Sequence, residues 1–221
     1  MITEHHLSVR RTARYFVDGT SDHEVRDVWI VCHGYGQLAA DFLKDFEVLR
    51  APGRRVVAPE GLSRFYFDTG FHGPDSKVGA TWMTREDRRA DIEDYVAYLD
   101  ALHDAVCADL DRGAAKLTIL GFSQGTATVS RWVSQGGVKP DRLVLWGGLL
   151  PPDLDLAAAR ERLARLQLVL VAGRRDRFVD DAKLTAQLAE LDRHGIAAAT
   201  VRHPGGHRLK PGVLSELAAA L

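Results

Sequence analysis

A series of short, unbroken apolar runs punctuates the chain, and most are followed by a stretch with helical spacing. Asp27–Cys32, Arg55–Ala58, Lys116–Leu120, Arg142–Trp146, Gln167–Ala172 and Ala197–His203 are each four to seven residues long and end at Gly, Pro or His. Runs of that length, apolar on consecutive positions, predict strands covered on both faces. Between them the apolar positions recur every three or four residues. Phe42, Phe46 and Leu49 mark one helical stripe. Ile92, Val96, Leu99, His103, Val106 and Leu110 mark another, on a helix expected from Arg85 to about Asp111, with Thr84 as N-cap and Gly113 as stop. A helix after the 116–120 strand should run to Gly136-Gly137. Leu156–Leu166 reads as helical, and so does a stretch capped by Asp180 or Asp181 that carries Leu184, Leu188 and Leu191 and stops at Gly195. Pro211–Leu221 reads as a closing helix, and Leu7–Val17 as an edge strand or hairpin arm ending at Asp18-Gly19. Strand alternating with helix implies a mostly parallel central sheet with helices on both faces.

One stretch breaks the alternation. Leu62–Thr84 holds Gly70, Gly73, Pro74 and Gly79 among the aromatics Phe65, Tyr66, Phe67, Phe71 and Trp82. It reads as a long irregular loop with a functional purpose. The absence of any repeat, linker or low-complexity segment makes residues 1–221 a single α/β domain, and 221 residues give ample material for one core.

Composition narrows the function more than the fold. The 29 basic and 30 acidic residues leave a net charge of −1, which gives no electrostatic footprint for nucleic acid. No apolar run is long enough to span a membrane. Met1–Arg14 carries charge and histidine where a signal peptide needs an apolar core, so the expected location is cytoplasmic. Cys32 and Cys107 fall in a strand and a helix, form no C-x-x-C pair, and read as small buried hydrophobes. There is no H-E-x-x-H, no zinc-spaced Cys/His cluster and no G-x-G-x-x-G opening a helix, so neither metal nor dinucleotide cofactor is expected. One sequence leaves the oligomeric state, a homodimer included, open.

The candidate chemistry lies beyond the carboxyl ends of the predicted strands, where open α/β sheets gather their working residues. Gly121-Phe-Ser-Gln-Gly125 joins strand to helix, the setting of a nucleophile elbow. Asp176 follows the 167–172 strand and His207 follows the last one. Serine, acid and histidine in that order can form a triad, with Ser123 as nucleophile, His207 as base and Asp176 orienting the imidazole. Asp180 and Asp181 compete for the acid but read as helix caps. His203 competes for the base but lies within a strand run, while His207 lies in the Gly-Gly loop beyond. An oxyanion needs backbone donors. Gln124 supplies one, and Tyr35 in His33-Gly34-Tyr35-Gly36 the other, with His33 bracing that loop.

These segments resemble the phospholipase/carboxylesterase family of α/β-hydrolases, which includes the acyl-protein thioesterases. Gly121–Gly125 is similar to its G-F-S-Q-G elbow, and His33–Gly36 to its H-G-x-G segment. Gly173-Arg-Arg-Asp176-Arg-Phe-Val179 is similar to its G-x-x-D-x-x-V, and Gly206-His207 to its G-H. The likeness runs from about Val28 to His207 and implies an α/β-hydrolase fold. It also implies a cofactor-free serine esterase or thioesterase for small-molecule substrates, with Ser123, Asp176 and His207 as triad. Lactone or C–C bond hydrolysis would share these residues, and a non-catalytic binding protein could keep the scaffold. Gln37 and Thr126 depart from the family pattern, and Leu62–Thr84 has no evident counterpart in the thioesterases. Phe65, Tyr66, Phe71, Trp82, Met83, Leu149 and Leu150 are the expected walls of an apolar substrate pocket, and Arg64, Lys77 or Arg85 could meet a substrate carboxylate.

Overall fold

The continuous apolar runs pair edge to edge into one sheet. A computed structural model describes residues 1–19, 24–110 and 114–220. Its strands are β1 (Tyr15–Gly19), β2 (Asp27–Cys32), β3 (Arg54–Pro59), β4 (Ser63–Tyr66), β5 (Val78–Thr81), β6 (Lys116–Phe122), β7 (Arg142–Trp146), β8 (Gln167–Gly173) and β9 (Ala198–His203). Its helices are α1 (Ala39–Lys44), α2 (Arg88–Val106), α3 (Gln124–Gln135), α4 (Leu156–Leu163), α5 (Asp181–Arg193) and α6 (Pro211–Ala219). Seven strands form one sheet in the order β1-β3-β2-β6-β7-β8-β9. β1 runs antiparallel to β3, and every other pair is parallel. This is the mostly parallel sheet with helices on both faces that the strand–helix alternation predicted, and the α/β-hydrolase fold that the family resemblance implied.

Side-chain alternation divides the core in two. Val28, Ile30 and Cys32 of β2 and Leu117 and Ile119 of β6 face one side, packed with Leu99 of α2, Trp132 of α3 and Leu163 of α4. Trp29, Val31, Leu120 and Phe122 face the other, packed with Phe42 of α1 and Leu214 of α6. Burial on both faces is why these strands read as continuous apolar runs. Among the described residues no helix is long and apolar enough to cross a membrane.

Several boundaries differ from the sequence reading. The stretch 62–84 is an antiparallel hairpin, with Ser63 opposite Thr81 and Tyr66 opposite Val78. The N-terminal arm is strand only from Tyr15, and Leu7 and Val9 are exposed. The stripe of Phe42, Phe46 and Leu49 is buried, but on α1 followed by a 3-10 turn at Glu47–Leu49 rather than on one helix. α2 starts at Arg88 because Thr84 closes a turn of its own, its hydroxyl oxygen accepting the Glu86 N–H at 3.2 Å. Asp87, at φ 44°, then sits outside the helical region. The buried face of α2 is Tyr95, Leu99, Leu102 and Val106, with Ile92, Val96 and Leu110 on its flank. α2 ends at Val106, with Cys107 as its C-cap, short of the end expected near Asp111. Asp111, the expected stop at Gly113 and the terminal Leu221 lie outside the described residues.

Candidate active site

The turn from β6 into α3 carries Ser123 at φ 54° and ψ −114°, a conformation L-residues rarely adopt. Such strain costs about 1–3 kcal/mol and persists only where the surroundings impose it. Here they do. A methyl group on Gly121 would strike the Gly125 carbonyl, and one on Gly125 would strike the Cys32 carbonyl of β2. The Ser123 N–H donates to the Trp146 carbonyl at 2.9 Å, and its own carbonyl accepts from the Thr126 N–H at 3.0 Å and the Thr126 hydroxyl at 2.7 Å. Ser123 occupies the N-cap position, yet its side chain makes no capping bond, which leaves the hydroxyl free for chemistry.

Loops after β8 and β9 are tied to each other. The Arg174 and Arg175 N–H groups donate to the His203 and Gly205 carbonyls at 2.9 and 2.8 Å. This brings His207 Nδ1 to 2.9 Å from Asp176 Oδ2. The Asp176 side chain is 1% exposed, and its other oxygen accepts the Phe178 N–H at 2.8 Å. An ionised carboxylate accepts only, so the imidazole carries its proton on Nδ1 and presents Nε2 as the acceptor. The ring is held between Phe122, 4.9 Å away by centroid, and Phe178, 4.6 Å away and edge-on. Phe122 is the residue immediately before Ser123. Gly147, at φ 64°, lies under the same ring. The competing residues are engaged elsewhere. Asp180 caps α5 through the Lys183 N–H at 2.8 Å, and Asp181 pairs with Arg202 at 2.9 Å. His203 is buried beside Trp146, where burial lowers its proton affinity.

The His33–Gly36 loop packs against the elbow: a methyl group on Gly34 would lie 3.1 Å from Ser123 Cβ. His33 is buried, and burial lowers its pKa, so it stays neutral. Its Nδ1 contacts the Gly34 carbonyl at 2.8 Å, and its Nε2 accepts the Gly61 N–H at 3.0 Å. Gly34 N–H donates to Gln37 Oε1 at 2.8 Å, Gly36 N–H to Ala80 O at 2.8 Å, and Gln37 N–H to Gly34 O at 3.3 Å. Among the described residues the Tyr35 N–H has no partner. The Gln124 N–H opens α3, where no preceding turn offers an acceptor.

Residues expected to wall a substrate pocket divide. Trp82 is 2% exposed, donates from Nε1 to the His33 carbonyl at 2.8 Å, and packs on the His33 ring. It is a brace beneath the His33–Gly36 loop, not a pocket wall. Phe71 is 98% exposed at the far end of the hairpin and walls nothing. Tyr66 stacks on His72 at 3.8 Å, on the hairpin itself. Phe65 stacks on the exposed Tyr35 of the His33–Gly36 loop at 5.1 Å. Met83 turns its sulfur toward Arg131, 3.4 Å away. Leu149 and Leu150 border a cavity of about 640 Å³, shared with Pro151, Leu156 and Ala186, whose lining includes none of Ser123, Asp176 and His207. Arg64 pairs with the buried Glu60 at 3.4 Å rather than meeting a substrate.

Sequence reasoning missed several supports. The Gln124 side chain donates to Thr81 Oγ1 and the Met83 carbonyl, both at 2.9 Å, and accepts the Trp82 N–H at 3.2 Å. Its elbow position was legible, but its reach to a hairpin not yet foreseen was not. Glu60, with a 1% exposed side chain, receives Arg14 at 2.7 and 3.0 Å and the Ala39 N–H at 3.2 Å. A lone Glu after Pro59 gave no signal of that. Among the described residues the metal-competent grouping is Glu4, His6 and Asp87, all exposed and all outside this constellation.

Comparison with known proteins agrees with this architecture. Residues 30–209 match the model of a family described as serine hydrolase (FSH1). No curated protein matches in sequence. Among solved structures, acyl-protein thioesterase 2 of Zea mays is 18% identical, covering 95% of this chain and 97% of its own, with a TM-score of 0.67. A carboxylesterase of Bacillus cereus is 14% identical, covering 94% and 92%, also at 0.67. A carboxylesterase of Mesorhizobium loti is 20% identical, covering 90% and 89%, at 0.67. At these identities the structural likeness is one of fold.

Proposed function

The chain belongs to the serine hydrolase (FSH1) family, and from that premise we propose that it cleaves carboxylic esters or thioesters through an acyl-enzyme on Ser123. The observation that carries this reading is the bond from His207 Nδ1 to the buried Asp176, with the imidazole packed on the residue preceding the serine. Nε2 takes the Ser123 proton as the hydroxyl attacks the carbonyl carbon, and Asp176 stabilises the imidazolium. The oxyanion is received by the N–H groups of Tyr35 and Gln124, aided by the positive end of α3. His207 then protonates the leaving alcohol or thiol. Water, deprotonated by the same nitrogen, releases the acid and restores the serine. The reading takes residues 1–221 as one hydrolase domain, supported by a sheet that draws strands from Tyr15 to His203. Ester or thioester as the scissile bond is supported by the neighbours, an acyl-protein thioesterase and two carboxylesterases.

The test is labelling with a fluorophosphonate, read by intact mass and peptide mapping. A single adduct on Ser123, absent in Ser123→Ala and suppressed in His207→Ala, is the expected result. Labelling that persists in a folded Ser123→Ala protein would sink the assignment. A wild type that neither labels nor turns over an ester panel would favour a binding role for the scaffold.

A further inference from the structure

We infer that the leaving group of the substrate carries a negative charge, a carboxylate or a phosphate, met by a basic rim on the two loops that hold Asp176 and His207. The inference rests on the ester-hydrolase reading and names the substrate class for that same site. These loops bear Arg174, Arg175, Arg177, Arg208 and Lys210. Among the described residues none of the five makes an ion pair, and the four arginines are exposed. Each acid nearby in sequence is engaged: Asp176 by His207, Asp180 by Lys183 and the cap of α5, and Asp181 by Arg202. The rim therefore presents uncompensated positive charge, although the chain as a whole is close to neutral.

Its position decides what it meets. The imidazole must hand its proton to the departing oxygen or sulfur, so the leaving group lies against His207. Phe178 covers that ring edge-on at 4.6 Å, and the Arg177 guanidinium lies 4.8 Å from the centre of Phe178. Arg208 directly follows His207, and its carbonyl is fixed by Trp146 Nε1 at 3.1 Å. Arg177 thus flanks the side of the site through which the alcohol or thiol leaves, and the exposed Arg208 is joined directly to the base. A guanidinium suits a planar carboxylate or a phosphate, which it can grip through two N–H groups. Clustered cations also raise the local concentration of an anionic substrate, an effect that salt screens within about 8–10 Å.

The test compares butyryl esters that share an acyl group and differ in the leaving group: 4-hydroxyphenylacetate, its neutral amide, and 4-hydroxybenzylphosphonate. The expected result is a kcat/KM for at least one anionic ester roughly tenfold above the amide at low salt, the size of one charge-assisted hydrogen bond. The larger of the two anionic values separates carboxylate from phosphate. The preference should fall severalfold on adding salt and in Arg177→Gln/Arg208→Gln. It should survive in Lys139→Gln, which removes an exposed cation from the loop at the opposite ends of the strands. Equal rates for charged and neutral esters would overturn the inference while leaving the hydrolase reading intact. So would a preference unmoved by the double substitution. Should no ester turn over, titrating the free acid and its amide against the protein still tests the rim, and equal affinities would overturn it.

Discussion

Gly147→Ala should impair catalysis from a position outside every motif read in the sequence. The residue sits at φ 64°, and a methyl group there would lie 3.0 Å from both Cε1 and Nδ1 of His207 and 3.4 Å from Asp176 Oδ2. Ordinary contact begins near 3.4 Å, so the ring must retreat by about 0.4 Å. Phe122 and Phe178 block an easy slide, and the 2.9 Å bond to Asp176 must lengthen or tilt. A 1 Å misplacement costs about a hundredfold, so this shift should lower kcat roughly fivefold to tenfold. The left-handed backbone adds about 1–2 kcal/mol of strain, partly offset because alanine restricts the unfolded chain. The net loss of about 1 kcal/mol corresponds to roughly 2–4 °C in Tm for a chain of this size. Gly195→Ala is the matched control. It has φ 66°, but its methyl group would meet only Arg160 side-chain atoms at 3.6 and 3.7 Å. Both variants should lose similar stability, and only Gly147→Ala should lose rate in p-nitrophenyl ester turnover. Equal kcat in the two variants would refute the claim that Gly147 leaves room for the base.

Two further expectations concern the supports. Gln124→Leu removes the bonds to Thr81, Trp82 and Met83 and leaves part-buried backbone groups unmatched, which should cost about 1–3 kcal/mol in urea unfolding. It should also speed proteolytic nicking of the hairpin and lower kcat more than it raises KM, whereas unchanged nicking would contradict the clamp. Asp153→Asn leaves the buried Arg131, otherwise paired at 2.8 and 3.2 Å, without its charge partner. A third of the Asp153 side chain is exposed, so the full cost of breaking a buried pair is discounted to about 2 kcal/mol. Hydrogen bonds from Arg131, against some desolvation and with help from Arg88, hold the Asp153 carboxyl at about 2. A depressed carboxylate stabilises the fold above its unfolded value of 3.8 and loses that contribution as pH falls toward 2. The variant should therefore flatten the stability curve in that window, and an unchanged acid limb would rule the pair out as its source.

What the sequence disclosed follows from what each residue needs. Val28–Cys32 and Leu168–Ala172 were legible as strands because burial on both faces removes polar positions altogether. Ser123, Asp176 and His207 stood out as candidates because strand ends collect chemistry and the three follow their strands in chain order, and the structure brings His207 Nδ1 to 2.9 Å from Asp176. The hairpin was not legible. Val78-Gly-Ala-Thr81 is short and small, and its pairing partner Ser63–Tyr66 alternates without a strong apolar face. Trp82 was misjudged for a related reason. An aromatic beside a glycine-rich loop reads as a pocket wall, and only the three-dimensional path shows its indole N–H directed at the His33 carbonyl. Gly147 gave only a turn signal, since its purpose is the space it leaves for another loop's side chain.

The hairpin divides into a base bonded to the candidate active-site loops and an exposed tip. Its hydrogen bonds to the His33–Gly36 loop and the elbow come from its base. Ala80 accepts the Gly36 N–H, Thr81, Trp82 and Met83 hold the Gln124 side chain, and Trp82 carries the His33 carbonyl. These bonds fix the amides of Tyr35 and Gln124 relative to Ser123. The tip, 67–77, contributes none of them. Phe67 and Phe71 there are exposed, so neither is required to fill the core. The base carries the hydrogen bonds to the neighbouring loops, whereas the tip is tied to the hairpin itself by the Tyr66–His72 stack and the bond from the Phe67 N–H to the Lys77 carbonyl. Substitutions at Phe71 should therefore leave kcat unchanged for every ester, while substitutions at Ala80 or Trp82 should lower kcat for every ester alike.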